Sequence, residues 1–152
     1  MPCIETVRFG PLHYTENSVI EFPAGIPAFE SERQFLLLRP PKHEPLIFLQ
    51  SLITPALSFL AIAVENIVLD YDVELSEEEL QAVGGPGPRA DFEVLALITV
   101  GTRGEVSANL KAPVVIHRGQ RRAVQAIQTN TSYSARHPMG AAAKSPQEFP
   151  CS

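Results

Sequence analysis

The apolar positions along this chain have mainly the character of short β-strands, broken at close intervals by turn-forming residues. Residues 39–42, Arg-Pro-Pro-Lys, are a turn by composition. Most prolines stand at the edges of apolar runs, where proline ends a strand without breaking a ladder of hydrogen bonds. The pattern predicts strands at residues 4–9, 18–22, 34–38, 46–52, 57–64, 92–100, 114–118 and 123–128.

Two of these runs, residues 57–64 and 92–100, are apolar on both faces. In the first run, one side of the strand carries Leu57, Phe59, Ala61 and Ala63, and the other side carries Leu60, Ile62 and Val64. A strand that buries both faces is central or wrapped, as in a closed sheet. The predicted fold is therefore mainly β: a small closed or barrel-like antiparallel sheet with one or two short helices.

One segment departs from the strand pattern and predicts a helix. Ser76 precedes three glutamates and Leu80, and a serine N-cap followed by Glu79 forms a capping box. The Gly-Gly-Pro-Gly-Pro sequence of residues 84–88 ends the helix after about two turns. We expect a single domain over residues 1–137, and a disordered tail over residues 138–152 because few large apolar side chains lie there.

Composition and charge narrow the possible functions. The chain has 152 residues, of which 45% are apolar and 19% charged, as in one globular domain. Its 12 basic and 17 acidic residues give a net charge of −5, which disfavours direct binding to nucleic acid or to an anionic membrane. The most apolar stretch, residues 56–64, is far shorter than the roughly 20 residues that span a bilayer. Residues 1–10 lack the features of a signal peptide, and Cys3 and Cys151 lie far apart, so we expect a cytoplasmic protein with reduced thiols.

Residue types that carry chemistry are present but scattered. The histidines, His13, His43, His117 and His137, have no metal-ligand spacing, and no serine lies in a Gly-x-Ser-x-Gly elbow. Residues 84–88 lack the Gly-Lys-Ser/Thr ending of a phosphate-binding loop. We therefore predict no catalytic residues, no metal and no cofactor, and a protein that acts by binding other proteins. A small-molecule-binding β-barrel and a structural oligomerisation module remain open as alternatives.

Several segments, taken in order, resemble the FliW family of bacterial flagellar assembly factors over roughly residues 4–138. The similar stretches are Ile-Glu-Phe-Pro-Ala-Gly-Ile-Pro-Ala-Phe-Glu at residues 20–30, Pro-Leu-Ile-Phe-Leu-Gln-Ser at 45–51, Asp-Tyr at 70–71, the strand at 94–100, Asn-Leu-Lys-Ala-Pro-Val-Val-Ile at 109–116, and Tyr-Ser-Ala-Arg-His-Pro at 133–138. Ala28 stands where the family usually has glycine, which puts a turn conformation with positive φ in question at that residue.

The resemblance implies a protein with two alternative protein partners. FliW-like proteins bind flagellin in the cytoplasm, or bind CsrA, an RNA-binding translational repressor. CsrA that is held by the factor cannot silence the flagellin message. When free flagellin accumulates it takes up the factor, CsrA is released, and flagellin translation falls. This mechanism is partner switching without turnover, so we expect a non-enzyme that is a monomer when free.

An acidic cluster around an aromatic residue is the first candidate for a partner-binding surface. It consists of Asp70, Tyr71, Asp72 and Glu74. We predict that this cluster faces CsrA, because an aromatic anchor with a charged rim is typical of interfaces. A solvated acidic loop is the alternative. Flagellin, whose terminal segments are amphipathic, is expected to meet an apolar surface instead.

Three further candidates each have a structural alternative. Phe29 follows a Gly-Ile-Pro turn and is either a plug of the core or an anchor for a partner. Gln50 lies in an apolar strand, where its amide must find hydrogen-bond partners; a bond to loop backbone is favoured over a place on a binding surface. Asn109 is expected to hold a bulge or turn through side-chain to backbone hydrogen bonds, with a partner contact as the alternative.

Overall fold

A computed structural model describes residues 2–130 and 132–139 of the chain. The strands are β1 (Cys3–Thr6), β2 (Gly10–His13), β3 (Val19–Glu21), β4 (Gln34–Leu38), β5 (Leu46–Ser51), β6 (Ser58–Ala63), β7 (Phe92–Val100), β8 (Val106–His117), β9 (Arg122–Gln125) and β10 (His137–Pro138). The described helices are the α-helix α1 (Glu77–Ala82) and 3-10 turns at Glu16–Ser18, Pro41–His43, Val64–Asn66 and Arg89–Asp91. The prediction of a mainly β fold with few short helices is confirmed.

Seven of the strands close into a barrel. Neighbouring strands follow the order β8-β7-β6-β5-β4-β3-β9, and β9 pairs back onto β8 to complete the ring. The pairs are antiparallel except for β3 and β9, which run parallel and meet at Glu21 and Arg122. The predicted closed sheet is thus observed, and its closing seam joins an early strand to a late one.

Apolar side chains fill the interior of the barrel. Because side chains alternate across a strand, every second residue of each strand points inward. Residues that pair across antiparallel strands share a face, and Leu49 on β5 accordingly lies opposite Phe59 on β6. The buried interior is formed by Ile20, Phe22, Ile26, Phe35, Ile47, Leu49, Ala61, Leu95, Val114, Ile116 and Ala123.

A second apolar layer covers part of the outside of the barrel. The outward side chains of β6, β7 and β8 contribute to it, as do side chains of α1 and its flanking segments. Its buried members are Ile62, Val64, Tyr71, Val83, Phe92, Val94, Ala96, Ala108, Leu110, Val115 and Ala126. This layer explains why the runs at residues 57–64 and 92–100 are apolar on both faces.

Helix α1 begins as the sequence predicts. The Ser76 Oγ accepts a hydrogen bond from the Glu79 backbone N–H at 3.1 Å, and the Glu79 Oε1 accepts one from the Ser76 N–H at 2.9 Å. These two bonds form a capping box, which satisfies N–H groups that the first turn leaves free. Leu80 and Val83 then fix the helix against the outer apolar layer.

The first predicted strand, residues 4–9, is wrong: the chain turns back after Thr6 to form a β1–β2 hairpin. The Thr6 hydroxyl accepts a hydrogen bond from the Phe9 N–H and donates one to the Gly10 carbonyl, which closes the turn. The hairpin packs on the outside of the barrel, where the Phe9 ring meets the Phe48 ring edge-on with 5.2 Å between centroids. The turn depends on hydrogen bonds of a threonine hydroxyl, and the pattern of apolar residues in the sequence does not predict such bonds.

Strand β8 begins eight residues earlier than the predicted 114–118, at Val106. In its first half, buried Val106, Ala108 and Leu110 alternate with less buried residues between them. Small and polar side chains dilute the apolar signal there, although the alternation typical of a half-buried strand is present.

Strand pairing also continues past the predicted end of the domain at residue 137. Pro138 pairs with Ser107, and the Met139 N–H donates to the Val106 carbonyl at 2.9 Å. The start of the predicted disordered tail at residue 138 is therefore wrong for these two residues, because β8 offers them a free strand edge. Residues 140–152, the rest of that prediction, lie outside the described residues.

Candidate functional site

The acidic candidate cluster lies on the segment between the 3-10 turn at Val64–Asn66 and α1. Along residues 70–75, Asp70, Asp72 and Glu74 are exposed, whereas Tyr71 is buried and Val73 is half-buried. Exposed and buried side chains thus alternate along the segment, so the three carboxylates share the outward face. The inward side chains pack into the outer apolar layer and hold the segment against the barrel.

Two side chains from the end of the chain fix the backbone of this segment. The Gln128 side chain binds both backbone groups of Glu74: its Oε1 accepts from the Glu74 N–H at 2.8 Å, and its Nε2 donates to the Glu74 carbonyl at 2.9 Å. The Tyr133 hydroxyl accepts from the Asp72 N–H at 2.8 Å. The segment is therefore held as if by a neighbouring strand, although side chains supply the bonds.

Tyr71 is not the exposed aromatic anchor that the sequence suggests. It is 8% exposed, its ring stacks on Tyr133 at 4.3 Å, and its hydroxyl donates a hydrogen bond to the Leu110 carbonyl. Burial, and to a smaller extent the neighbouring Tyr133, raises the pKa of the Tyr71 phenol above its usual range. The sequence does not predict this burial, because aspartates on both sides of a tyrosine are typical of a solvent-exposed polar loop. Next to the cluster, Leu69 is 92% exposed.

Asn109 holds a bulge, as predicted from its sequence position. Its Oδ1 accepts hydrogen bonds from the Lys111 N–H at 3.1 Å and the Ala112 N–H at 3.0 Å. The register between β7 and β8 shifts at this point, because Leu97 lies opposite Asn109 while Leu95 lies opposite Val114. The bulge exposes backbone groups of β8 to other partners, among them the Leu110 carbonyl that accepts the Tyr71 hydroxyl.

Gln50 is fully buried and binds loop backbone, the role that the sequence favours. Its Nε2 donates to the Ser51 carbonyl at 3.0 Å and to the Pro55 carbonyl at 3.2 Å. Within the described part of the chain, its Oε1 is buried without a hydrogen-bond partner. Gln50 has no exposed surface, and its side chain helps to fix the path of the loop at residues 52–57.

Glu32, which the sequence does not single out, forms a buried hydrogen-bond cluster beside Gln50. It is 8% exposed, and its two carboxylate oxygens each accept a hydroxyl hydrogen bond at 2.5 Å, one from Ser51 and one from Thr54. A single glutamate in a loop is usually exposed to solvent, so no local sequence pattern predicts that Glu32 is buried. The contacts join residues 19 and 22 positions apart and become visible only in the fold.

Phe29 packs on Phe59, a residue that lines an open cleft at one end of the barrel. It is 40% exposed, and its ring meets Phe59 edge-on at 5.5 Å. Phe59 in turn lines a cleft of about 630 Å³, together with Leu97, Asn109 and Arg136 among others. Phe29 is thus neither a full plug of the core nor a free side chain; it covers part of the barrel end and leaves carbon surface exposed.

The structure divides the candidate residues into two surfaces. Phe29 and Asn109 lie near the cleft at the end of the barrel. The acidic segment at residues 70–74 lies on the outer layer, and the bulge of β8 stands between the two. Both surfaces suit contact with protein: one presents carboxylates on a rigid support, and the other presents apolar rings beside an open cleft.

Two observations on the described residues bear on other functions. Among residues 2–130 and 132–139, no group of three or more histidine, cysteine, aspartate or glutamate side chains is placed to hold a metal ion. The same part of the chain has no helix of the length and apolar character that crossing a membrane requires.

These features define a class of protein: a small seven-stranded barrel with a second apolar layer outside, and with surfaces suited to protein contact. Comparison with known sequences and structures indicates a single family. The family model described as FliW protein matches residues 3–139. The crystal structure of a flagellar assembly factor FliW has a TM-score of 0.80 to this fold at 34% identity, covering 90% of this chain and 96% of that one.

Curated relatives agree with the family model. The flagellar assembly factor FliW of Syntrophomonas wolfei is 35% identical over 137 residues, which are 90% of this chain and 87% of the relative. The flagellar assembly factor FliW of Bacillus subtilis is 30% identical over 138 residues, which are 90% and 96% of the two chains. The chain belongs to the FliW family of flagellar assembly factors.

Proposed function

We propose that this flagellar assembly factor works in the cytoplasm as a switch between two proteins, flagellin and CsrA, by binding and without catalytic turnover. The observation that carries the proposal is the outward row of Asp70, Asp72 and Glu74 on a rigidly held segment. An acidic row whose backbone is already fixed loses little conformational entropy when a partner docks. A basic protein partner such as CsrA fits this row.

Electrostatics supports a role in removing CsrA from RNA. CsrA must be basic where it meets RNA phosphates, and a bound protein with a net charge of −5 repels RNA nearby. Because Tyr71 is buried, it supports this face through packing and does not anchor the partner itself. Leu69, 92% exposed beside Asp70, is the apolar side chain that this surface offers instead.

Flagellin fits the other surface better. Its amphipathic terminal segments need apolar cover to be kept from assembling with one another. The exposed part of the Phe29 ring and the cleft beside Phe59 provide such cover at the end of the barrel. Although the two surfaces are separate, only one partner binds at a time when each bound partner is large enough to block access to the other surface.

A pull-down from native cytosol tests the switch. The proposal expects flagellin and CsrA to be recovered in separate complexes, and added flagellin to displace CsrA. Recovery of neither protein contradicts it.

Charge reversal tests the acidic face. The double variant Asp70→Lys, Asp72→Lys is expected to lose CsrA affinity by at least about tenfold at low salt, because it replaces attraction by repulsion. A matched control, Glu5→Lys with Glu16→Lys, changes the net charge equally at exposed positions elsewhere. Unchanged CsrA affinity in the first variant, or an equal loss in the control, refutes the assignment of this face.

A further inference from the structure

The loops that carry Phe29 and Ile53 are tied together beneath the surface by Glu32. The Glu32 backbone N–H donates to the Phe29 carbonyl at 2.9 Å, which fixes the turn that presents the Phe29 ring. The Glu32 carboxylate accepts the hydroxyl hydrogen bonds of Ser51 and Thr54, at the start of the loop that presents Ile53. Through these bonds, one buried side chain sets the position of both loops.

The Ser51 hydroxyl completes the arrangement. While it donates to Glu32, its Oγ accepts hydrogen bonds from the Ile53 N–H at 3.0 Å and the Thr54 N–H at 2.9 Å. The Gln50 side chain holds the far side of the same loop through the Pro55 carbonyl. The path of the loop is thus fixed by side chains, and Ile53 remains 56% exposed at its tip.

A buried carboxylate at this position is unfavourable for the stability of the fold. In the described part of the chain the ion pairs are Arg39–Glu93 and Arg89–Glu65, so Glu32 has only hydroxyl partners. Taking a carboxylate out of water is unfavourable, and apolar side chains of similar volume commonly replace buried charges without loss of stability. What the carboxylate provides, and an apolar side chain does not, is two acceptor oxygens that fix two hydroxyls at once.

The surface that results differs from the acidic segment in charge. Its large exposed apolar side chains are Phe29 and Ile53, and the exposed charges on the Phe29 loop, Glu30 and Arg33, cancel. The acidic segment, by contrast, presents carboxylates alone at Asp70, Asp72 and Glu74. A face whose exposed charges balance fits the apolar side of an amphipathic helix, whereas the acidic face fits a basic partner.

We propose that Glu32 is a positioning residue that holds Phe29 and Ile53 as one docking surface for the apolar face of an amphipathic helix of a protein partner. The inference rests on the proposed function, in which flagellin is that partner. Glu32 touches no partner atom. It acts through Ser51 and Thr54, and its loss frees the Ile53 loop while the barrel stays closed.

The test compares variants of the full chain for binding to purified flagellin monomer and to purified CsrA. Glu32→Leu removes both acceptors. Thr54→Val removes one donor and nearly keeps the shape of the side chain, so it tests the same contact if Glu32→Leu does not fold. Each is expected to weaken flagellin binding, by about tenfold for Glu32→Leu, and to leave CsrA binding unchanged. Glu32→Gln keeps a hydrogen-bonding group at both oxygen positions and is expected to stay within about threefold of wild type. Glu16→Gln makes the same charge change at an exposed position and serves as the control.

Hydrogen exchange of the backbone supplies the second readout. In Thr54→Val and Glu32→Leu, amides of residues 52–56 are expected to exchange faster while strand amides keep their protection. Wild-type binding to flagellin by variants whose loop exchanges fast overturns the positioning role alone. An equal loss of CsrA binding also overturns it, because that result indicates general unfolding. A wild-type chain that binds no flagellin overturns the proposed function and, with it, the partner assigned to this surface.

Discussion

Residue 28 offers a test of how backbone strain is distributed in the turn before Phe29. Ala28 has φ of 72°, in the left-handed region where a Cβ crowds the following carbonyl. The family resemblance puts glycine at this position, and the observed angle shows that the turn keeps its geometry with alanine. Gly25, three residues earlier, has the same φ of +72° but a different environment.

The Ala28→Gly variant is expected to stabilise the fold. Removing the Cβ relieves about 1–2 kcal/mol of left-handed strain, and glycine costs about 0.4–1 kcal/mol by adding freedom to the unfolded chain. At the midpoints of these ranges the difference is a gain of about 0.8 kcal/mol, or a rise in Tm of about 2–3 °C for a domain of this size. The hydrogen bond from the residue 28 N–H to Glu30 Oε2, 3.0 Å long, involves only backbone on the Ala28 side and is retained.

The matched variant Gly25→Ala is expected to do the opposite. A Cβ there would lie 2.3 Å from the Glu30 carbonyl oxygen, so overlap with fixed backbone adds to the strain of positive φ. We expect a loss of more than about 2 kcal/mol. Urea unfolding followed by far-UV circular dichroism measures both changes, since the chain has no tryptophan. Destabilisation by Ala28→Gly, or a neutral Gly25→Ala, would refute this account of the turn.

Other variants test the support beneath the acidic segment. Tyr71→Phe leaves the buried Leu110 carbonyl without its donor and is expected to cost about 1–3 kcal/mol in urea unfolding; an unchanged midpoint contradicts the role of that bond. Burial raises the pKa of the Tyr71 phenol in the folded state, so the stabilisation that the neutral phenol provides is fully present below pH about 10. Above that pH the free energy of unfolding falls by up to about 1.4 kcal/mol per pH unit. The alkaline slope of wild-type stability should therefore exceed that of Tyr71→Phe, and equal slopes would contradict the assignment. Gln128→Leu removes both bonds to the Glu74 backbone and is expected to weaken CsrA binding several-fold more than flagellin binding. Equal affinities for CsrA in Gln128→Leu and wild type would show that a fixed segment is not required.

Local signals in the sequence predicted the elements that local interactions determine. The capping box of Ser76 and Glu79 depends on residues three positions apart, so the start of α1 was predictable. Strands β4 and β7 were predicted with their observed bounds, because their apolar runs end at clear turn residues. The first half of β8 was not, since its buried face uses small residues such as Ala108.

The site was less predictable because burial there depends on distant partners. Tyr71 lies among aspartates and is buried only because Leu110 and Tyr133 come to it from later in the chain. Glu32 is buried by Ser51 and Thr54 from the next loop but one. The structural role of Asn109 was predictable, since its Oδ1 accepts hydrogen bonds from the N–H groups two and three residues ahead.

The parallel seam of the barrel has a consequence for how the chain folds. Glu21 and Arg122, about 100 positions apart, meet there, and the Glu21 N–H donates to the Arg121 carbonyl at 2.9 Å. During synthesis β4 to β8 can assemble as successive antiparallel neighbours, but β3 keeps an open edge until β9 has left the ribosome. Closure of the ring is a contact of high sequence separation, and we expect it to be the slow step of folding. This flagellar assembly factor is thus expected to pass through a state with an unpaired strand edge before its barrel closes.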